Sequence, residues 1–501
     1  GNTLKNKGEL DKAIRCFIRA SKIEPDNSQV HYNLGNALKE KGDLDEALVS
    51  YKRAIAIKPD NAEAYYNMGI ASGDSGNLDE AIENYRQAIE FKPDHAEAYN
   101  NAGVALKGRG DLDEAIKSYN QAIRIKPDYA EAYYNLGTVM KDKGNIDAAI
   151  VNYNQAIEIR PNYPEAYNSM GLAYGIKGDL KKSIANYKQA TEIKPDYAEA
   201  IHNMSSTLLM DKQFELGFNL WPKLNVRYPL QTSKPLWNGE KNETVFVWAE
   251  QGLGDEIMFA SLIPELHAVS SKLIVQCDQR LIPLFQRSFP KDIIYQSDRS
   301  LVTEDSYTFQ SPIGSLACIF RPSLESFQKT SAGYLCHDEP KSLQLRKKLL
   351  NGHEKTLVGI SWKTMSSSQN ANSRSITLPD LAQALDQPKT QLICLQYGDV
   401  SEEISALKKE FGINVIQVSE IDNRDDIDGL ASLIMACDRV VSTDSTTVHL
   451  AGALGADTQV LLPFSASWIW GVNEKKSYSY NFFELHRQDD TGNWNSVLAA
   501  I

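Results

Sequence analysis

The chain is predicted to fold as an α-solenoid followed by an α/β region of two doubly wound units facing across a cleft. Three observations carry this prediction. Proline recurs every 34 residues, at Pro25, Pro59, Pro93, Pro127, Pro161, Pro195 and Pro229. Glycine keeps the same step at Gly8, Gly42, Gly76, Gly110, Gly144 and Gly178. A fixed period of this length marks a repeat array, in which each unit buries its apolar face only against its neighbours. Beyond Pro229 the period stops, and short β-rich runs alternate with helical stretches, the pattern of parallel sheets.

Within one unit, Ala62 to His95, apolar residues fall at helical spacing over about 63–75 and 79–91. Gly76 and Asn77 break the two stretches, and Asn77 is placed to cap the second. Lys92-Pro93-Asp94 ends it in a turn. Small residues mark the helix crossings: Gly35, Gly69, Gly103, Gly137 and Gly171 in the first helix, Ala47, Ala81, Ala115 and Ala149 in the second. Tyr51, Tyr85, Tyr119, Tyr153 and Tyr187 supply the bulk between them. The last unit, Ala198 to Gln231, is degenerate. Ser205 takes the glycine position, Lys212 the turn glycine and Trp221 the tyrosine, as expected of a cap or a weld to the next domain. These signatures resemble the tetratricopeptide repeat.

Asparagine also recurs, at Asn33, Asn67, Asn101, Asn135 and Asn203, with Ser169 breaking the series. Asparagine is a mediocre helix former, so five in register require a reason. Two readings stand side by side. The amides grip an extended peptide backbone, with Tyr32, Tyr66 and Tyr134 adding apolar contact, or they hydrogen-bond neighbouring helices. The array resembles the asparagine ladder of the eukaryotic O-linked N-acetylglucosamine transferases, which implies a protein substrate on the concave face.

Composition bounds the function. At 501 residues the chain exceeds one core and should divide into two or three domains. Apolar residues are 42% and charged residues 24%, the balance of a globular protein. With 65 acidic against 53 basic residues the net charge is −12, which argues against nucleic acid as the main partner. Six cysteines without a CxxC pair read as reduced thiols of a cytoplasmic protein. No apolar run approaches the ~18 residues of a membrane span, and no signal peptide is visible. The first residues already lie mid-repeat, which leaves open whether further repeats precede them. A homo-oligomer stays open.

After the polar, proline-containing junction at 230–242, strands are expected at 244–250, 272–277, 292–295, 306–310, 356–362, 390–396, 413–418, 439–443 and 458–463, with a dividing helix near 341–351. Two loops among them carry chemistry. Glu250-Gln-Gly-Leu-Gly-Asp255 joins a strand to a helix, and Gly252 and Gly254 permit a tight turn and close approach of a ligand. Asp255 there is either an N-cap or a site residue. In Ser442-Thr-Asp-Ser-Thr-Thr-Val-His449 a strand runs into a helix whose free N–H groups, with Thr446 and Thr447, form an anion site. His449 either reaches the same ligand or is a packed helix residue. Asp425, Asp426 and Asp428 read as a solvated capping stretch.

GLGDEIMFASLIPEL resembles the GxGD start of the heptosyltransferase-type glycosyltransferases, and DDIDGLASLIMACDRVVSTDSTTVHLAGALGA resembles their donor-side motif. VGISWKTMSSSQNANSRSITLPDL, LICLQYGD and LLPFSASWIWG match in order and spacing, over about 237–501. The whole layout resembles bacterial tetratricopeptide-repeat proteins with a GT-B glycosyltransferase domain. The resemblance implies a repeat superhelix over 1–231, an N-terminal Rossmann-like unit over 232–345 and a nucleotide-sugar-binding Rossmann-like unit over 346–501. It implies Asp255 as the general base. Gly252, Gly254, Lys363, Arg374, Gln396, Asp444, Thr446, Thr447, Val448 and His449 would hold the donor, a UDP-linked sugar. No cofactor and no metal are then expected, and no His/Cys/Asp group has metal spacing.

The resulting expectation is a metal-independent, inverting glycosyltransferase acting on Ser/Thr hydroxyls of proteins held by the repeats. Two alternatives are a non-catalytic repeat scaffold with a degenerate transferase domain, and a transferase for surface-glycan or lipid-linked acceptors.

Overall fold

A computed structural model describes residues 1, 3, 9–221, 230–250, 252–327, 333–364, 374–472, 474–480, 482–490 and 492–501. Gly8, Pro229 and most of the Ser/Asn-rich stretch after Thr364 lie outside the described residues. The chain divides into two compact units, Gly1–Ala200 and Ile201–Ile501. The division falls ahead of the composition change at 230–242, so most of the degenerate last repeat belongs to the second unit.

The first unit is a run of paired helices: α1 (Leu10–Ile23), α2 (Ser28–Lys41), α3 (Leu44–Ile57), α4 (Ala62–Asp74), α5 (Leu78–Phe91), α6 (Ala96–Arg109), α7 (Leu112–Ile125), α8 (Ala130–Asp142), α9 (Ile146–Ile159), α10 (Pro164–Ile176) and α11 (Leu180–Ile193). The turn glycines take the left-handed conformation, as at Gly76 (φ 82°), and the Asn77 side chain accepts from the Glu80 N–H at 3.3 Å to start α5. The glycine–tyrosine pairing is physical. A Cβ on Gly35, Gly69, Gly103, Gly137 or Gly171 would stand 2.6–2.8 Å from the ring of Tyr51, Tyr85, Tyr119, Tyr153 or Tyr187. Each ring is buried and fills the room its glycine leaves.

Ion pairs repeat with the same step. Lys41–Asp11 (3.2 Å), Arg109–Asp79 (2.7 Å), Lys143–Asp113 and Lys177–Asp147 link a helix start to a helix end 30 residues on. Lys92–Glu63 (3.0 Å), Lys126–Glu97 (3.5 Å) and Arg160–Glu131 do so at 29. All are solvent-exposed and individually weak.

In the second unit, helix α12 (Ala198–Met210), which begins at the division, precedes α13 (Phe214–Leu220). The small residues of the repeat have exchanged roles here. Ser205 stands where glycine did, and Gly217 faces it on α13, where a Cβ would lie 2.6 Å from Leu209. The Ser205 hydroxyl donates to the Gly217 carbonyl at 2.9 Å. Phe214, Phe218 and Trp221 insert among Phe327, Trp468, Tyr478 and Phe259 of the α/β core, which makes this unit a weld.

That core contains two parallel sheets. The first, in the order β3-β2-β1-β4, is built of β1 (Thr244–Trp248), β2 (Lys272–Gln276), β3 (Ile294–Gln296) and β4 (Phe309–Pro312). The second, in the order β10-β9-β8-β5-β6-β7, is built of β5 (Thr356–Ser361), β6 (Thr390–Cys394), β7 (Val415–Ile416), β8 (Arg439–Thr443), β9 (Thr458–Leu462) and β10 (Glu484–Arg487). Each of the nine expected runs contains a strand, with β4 beginning three residues late because Glu304–Ser306 forms a 3-10 turn. β10 was not expected. Helices α14 (Leu253–Phe259), α15 (Ile282–Ser288), α16 (Glu339–Leu350), α17 (Leu378–Leu385), α18 (Ser401–Phe411), α19 (Ile427–Ala436) and α20 (Thr446–Leu454) cover the sheets. Asp426 caps α19, accepting from the Gly429 N–H at 2.7 Å, while Asp428 forms a bidentate pair with Arg287 of α15 (2.6 and 2.8 Å). Of the aspartates expected in solvent, Asp428 instead joins the helices of the two sheets.

Candidate functional site

The two loops singled out in the sequence meet. Each leaves the carboxyl end of a parallel strand, the position at which open α/β sheets bind ligands. β1 leads into Gly252 and α14, and β8 leads through Asp444 and Ser445 into α20. Helices α14 and α20 pack together. A Cβ on Gly254 would stand 3.0 Å from His449 Cδ2, so a side chain at 254 would drive the two helix starts apart.

Asp255 occupies the third position of α14, after Gly252 at the cap. Burial lifts its carboxyl to about 6, the Gly252 backbone holds it partly down, and the charge of Asp444 lifts it further. Asp255 is not the N-cap, a position that Gly252 takes, but a residue of the first helical turn. It braces the start of its helix and also faces the opposite loop. Asp444 is buried, with the Arg374 guanidinium 3.7 Å from its carboxylate.

His449 is buried on the other side. Its Nδ1 lies 3.2 Å from the Tyr480 hydroxyl, and its ring stacks on Trp470 at 5.6 Å. Burial lowers its proton affinity, opposed by the charge of Asp444. It is a packed residue whose ring edge borders Gly254. Thr446 is half-buried at the first position of α20. Beside it the Thr443 hydroxyl is buried with no hydrogen-bond partner.

Other expected ligands are already engaged. The Gln396 side chain accepts from the backbone N–H groups of Trp362 and Lys363, both at 3.0 Å, and donates to the Lys363 carbonyl at 3.0 Å. It braces the end of β5 instead of facing a nucleotide. Lys363 pairs with Glu403, which also accepts from the Trp362 indole at 3.0 Å. Both cations the resemblance implies thus lie beside carboxylates, Lys363 at Glu403 and Arg374 at Asp444. Thr447 and Val448 are buried, and the Thr447 hydroxyl donates to the Leu395 carbonyl at 3.4 Å.

The asparagine series makes the hydrogen bonds between neighbouring helices that its second reading describes. Asn67 Nδ2 donates to the Tyr32 hydroxyl at 3.1 Å, and its Oδ1 accepts from Lys39 at 2.9 Å. Asn101 donates to the Tyr66 hydroxyl at 3.1 Å. Where the tyrosine is replaced by Asn100, Asn135 donates to Asn100 Oδ1 at 3.0 Å. At the break, Ser169 reaches the Tyr134 hydroxyl at 3.5 Å. Asn33 accepts from Gln29 at 3.1 Å. Asn203 is half-buried in the second unit. From Asn67 to Ser169 the column joins each repeat to the one before, 35 residues back.

Sequence reasoning missed Glu250, Glu256, Tyr480 and Trp470. Burial raises the Glu250 and Glu256 carboxyls to about 7 each. Their only sequence signal is two acidic residues beside the GLGD glycines. Among the described residues no group of His, Cys, Asp or Glu is arranged to hold a metal, and no helix is long and apolar enough to cross a membrane.

The TPR repeat family model matches residues 1–42, 35–72, 74–108, 105–144 and 140–175, and a second tetratricopeptide repeat model matches 164–197. Protein FlbA of Caulobacter vibrioides is 29% identical over 250 residues, which is 46% of this chain and 41% of FlbA. The chain thus spans about two fifths of the length of that curated relative. Among solved structures, MamA is 32% identical over 35% of this chain and 96% of its own, with a TM-score of 0.32. YrrB, described as a TPR protein with an unusual peptide-binding site, is 22% identical over 38% of this chain and 98% of its own (TM-score 0.33). TTC0263 of Thermus thermophilus is 27% identical over 36% and 99% (TM-score 0.31). The N-terminal part of the chain, to about residue 220, is an array of tetratricopeptide repeats, and parallel-sheet α/β structure follows it.

Proposed function

We propose that the α/β unit is a GT-B glycosyltransferase that moves a sugar from a nucleotide-sugar donor to Ser or Thr hydroxyls of proteins recruited by the repeats. The observation that carries this reading is Asp255, in the first turn of the helix whose Gly254 borders His449, within reach of the Asp444 charge and with its carboxyl lifted to about 6. A carboxylate of that strength is largely ionised at neutral pH and is a better base than one in water. In the reaction, Asp255 takes the acceptor hydroxyl proton while the oxygen attacks the anomeric carbon from the face opposite the donor phosphate. The carbon–oxygen bond to phosphate breaks, the nucleoside diphosphate leaves with the electron pair, and the anomeric centre inverts. The N–H groups that open α20, the Thr446 hydroxyl and Arg374 offset the charge of the leaving diphosphate. A UDP-linked donor and a cytoplasmic setting are part of this reading. The repeats serve as the protein-binding scaffold, through surface other than the clasped asparagines.

A second reading, a scaffold without catalysis, draws support from the engagement of Gln396, Lys363 and Thr447 inside the protein. Thermal shift against a panel of nucleotide sugars, followed by assays of donor hydrolysis and transfer, separates the two. Donor binding with turnover supports the transferase. A panel without binding or turnover leaves the scaffold.

A further inference from the structure

Lys363 and Glu403 lie at the carboxyl end of the second sheet, and neither has a part in the mechanism above. The chain just beyond β5 is held from two sides. Gln396, just beyond β6, accepts from the N–H groups of Trp362 and Lys363. On the other side the Ile376 N–H donates to the Trp362 carbonyl at 2.8 Å, and the Thr364 N–H donates to the Ser375 hydroxyl at 3.2 Å. Ser375 is held in turn by the Trp494 indole, which donates to its carbonyl at 3.1 Å. The backbone around Lys363 is thus pinned, and its side chain is what can move. The ammonium pairs with one carboxylate oxygen of Glu403 on α18, while the other accepts from the buried Trp362 indole at 3.0 Å. The Lys363 side chain is 23% exposed and that of Glu403 41%, so solvent reaches the pair. A cleft of about 580 Å³ that both residues line leaves room for the ammonium to depart. Arg374 is held on the opposite flank. β5 runs between β8 and β6: Arg374 lies by Asp444 on the loop from β8 into α20, and Lys363 lies by the helix that follows β6.

We propose that Glu403 is a positioning residue for Lys363: it holds the ammonium on the α18 side of β5 and yields it to a nucleoside diphosphate bound at the start of α20. This rests on the reading of that helix start as the donor site. A carboxylate and a diphosphate compete for one ammonium, and the diphosphate carries more charge and more acceptor oxygens. Adjacent strands lie about 4.8 Å apart, a step that the flexible stem of a lysine covers by changing rotamer. The Trp362 indole keeps the Glu403 carboxylate in place after the ammonium has left, so the pair re-forms when the nucleotide departs.

Glu403→Gln keeps an acceptor for the Trp362 indole and removes the charge that holds Lys363. With the full chain and UDP as the probe, calorimetry should show UDP bound about two- to fivefold more tightly in Glu403→Gln, the range of one solvent-exposed ion pair given up. The gain should vanish when Lys363→Met is present in both proteins, because no ammonium is then left to release. Simple relief of repulsion between Glu403 and the phosphates would survive in that background. A second readout needs no nucleotide. Labelling of Lys363 by an amine-reactive ester, followed by peptide mass spectrometry, should rise in Glu403→Gln as the side chain leaves α18. UDP affinity unchanged or weakened in Glu403→Gln, a gain that persists beside Lys363→Met, or labelling that does not rise overturns the proposal. If labelling rises and UDP binds neither protein, the donor reading fails and only the hold of Glu403 on Lys363 stands.

Discussion

The repeat unit and the α/β unit use polar side chains in opposite ways. In the repeats, polar groups recur in register and meet neighbours at fixed separations, as Asn67 meets Tyr32 and Asn101 meets Tyr66. In the α/β unit they gather on one short segment, meet partners from distant ones, and are left partly unsatisfied. Asp255, Glu250 and Glu256 all carry raised proton affinities, and Glu250 Oε2 has no partner. Periodic polarity is here a device of assembly, and convergent, strained polarity marks the place where chemistry is expected.

The comparison breaks first at Asp255. Asp255→Asn should lower kcat for sugar transfer by about 10²–10⁴, the range of a lost general base, and leave the donor-induced thermal shift in place. Unchanged turnover would remove Asp255 from the site. Gly103→Ala tests the repeat side. Its new methyl meets the Tyr119 ring, so urea denaturation should show the repeat unit destabilised by about 1–3 kcal/mol with donor binding intact. A smaller effect is expected for Asn67→Ala, about 1 kcal/mol, as a clasp of two hydrogen bonds is lost. If the asparagines held peptide instead, the triple change at Asn67, Asn101 and Asn135 would reduce transfer to protein acceptors without moving the urea midpoint.

The pH dependence of stability sharpens the contrast. Asp255, Glu250 and Glu256 bind protons more tightly folded than unfolded, so the folded state holds more protons between about pH 4 and 7. Their contribution is complete below that window and is lost as pH rises through it. The Tm of the α/β unit should therefore fall by a few degrees from pH 5 to 8, and Glu250→Gln should flatten the slope. A Tm that rises over this range would show that these carboxyls are ionised without cost.

Much of the fold was legible in the sequence, because packing writes itself as period. Glycine and tyrosine at fixed offsets foretold the Gly103–Tyr119 contact. β-branched runs foretold nine strands, but β10 went unseen. Its sequence, Glu484-Leu-His-Arg487, is a polar edge strand paired with β9 alone and has no apolar run to signal it. The meeting of Gly254 with His449 could be suspected only from two loop motifs, since no spacing in a chain reports contact across about 200 residues. Which side chains were already engaged was not legible at all. Lys363 reads as a free cation until Glu403, 40 residues on, is seen beside it.

The rungs between Lys41 and Asp11, Arg109 and Asp79, Lys143 and Asp113, and Lys177 and Asp147 bear on how such a chain changes length. Each rung joins adjacent units through the same two positions. Wherever both positions are charged, a duplicated or deleted 34-residue block keeps the pairing; the series skips one step, where Ser75 takes the basic position opposite Asp45. Copy number can drift by recombination at almost no electrostatic penalty, so the length of the array is free to follow whatever the protein must hold.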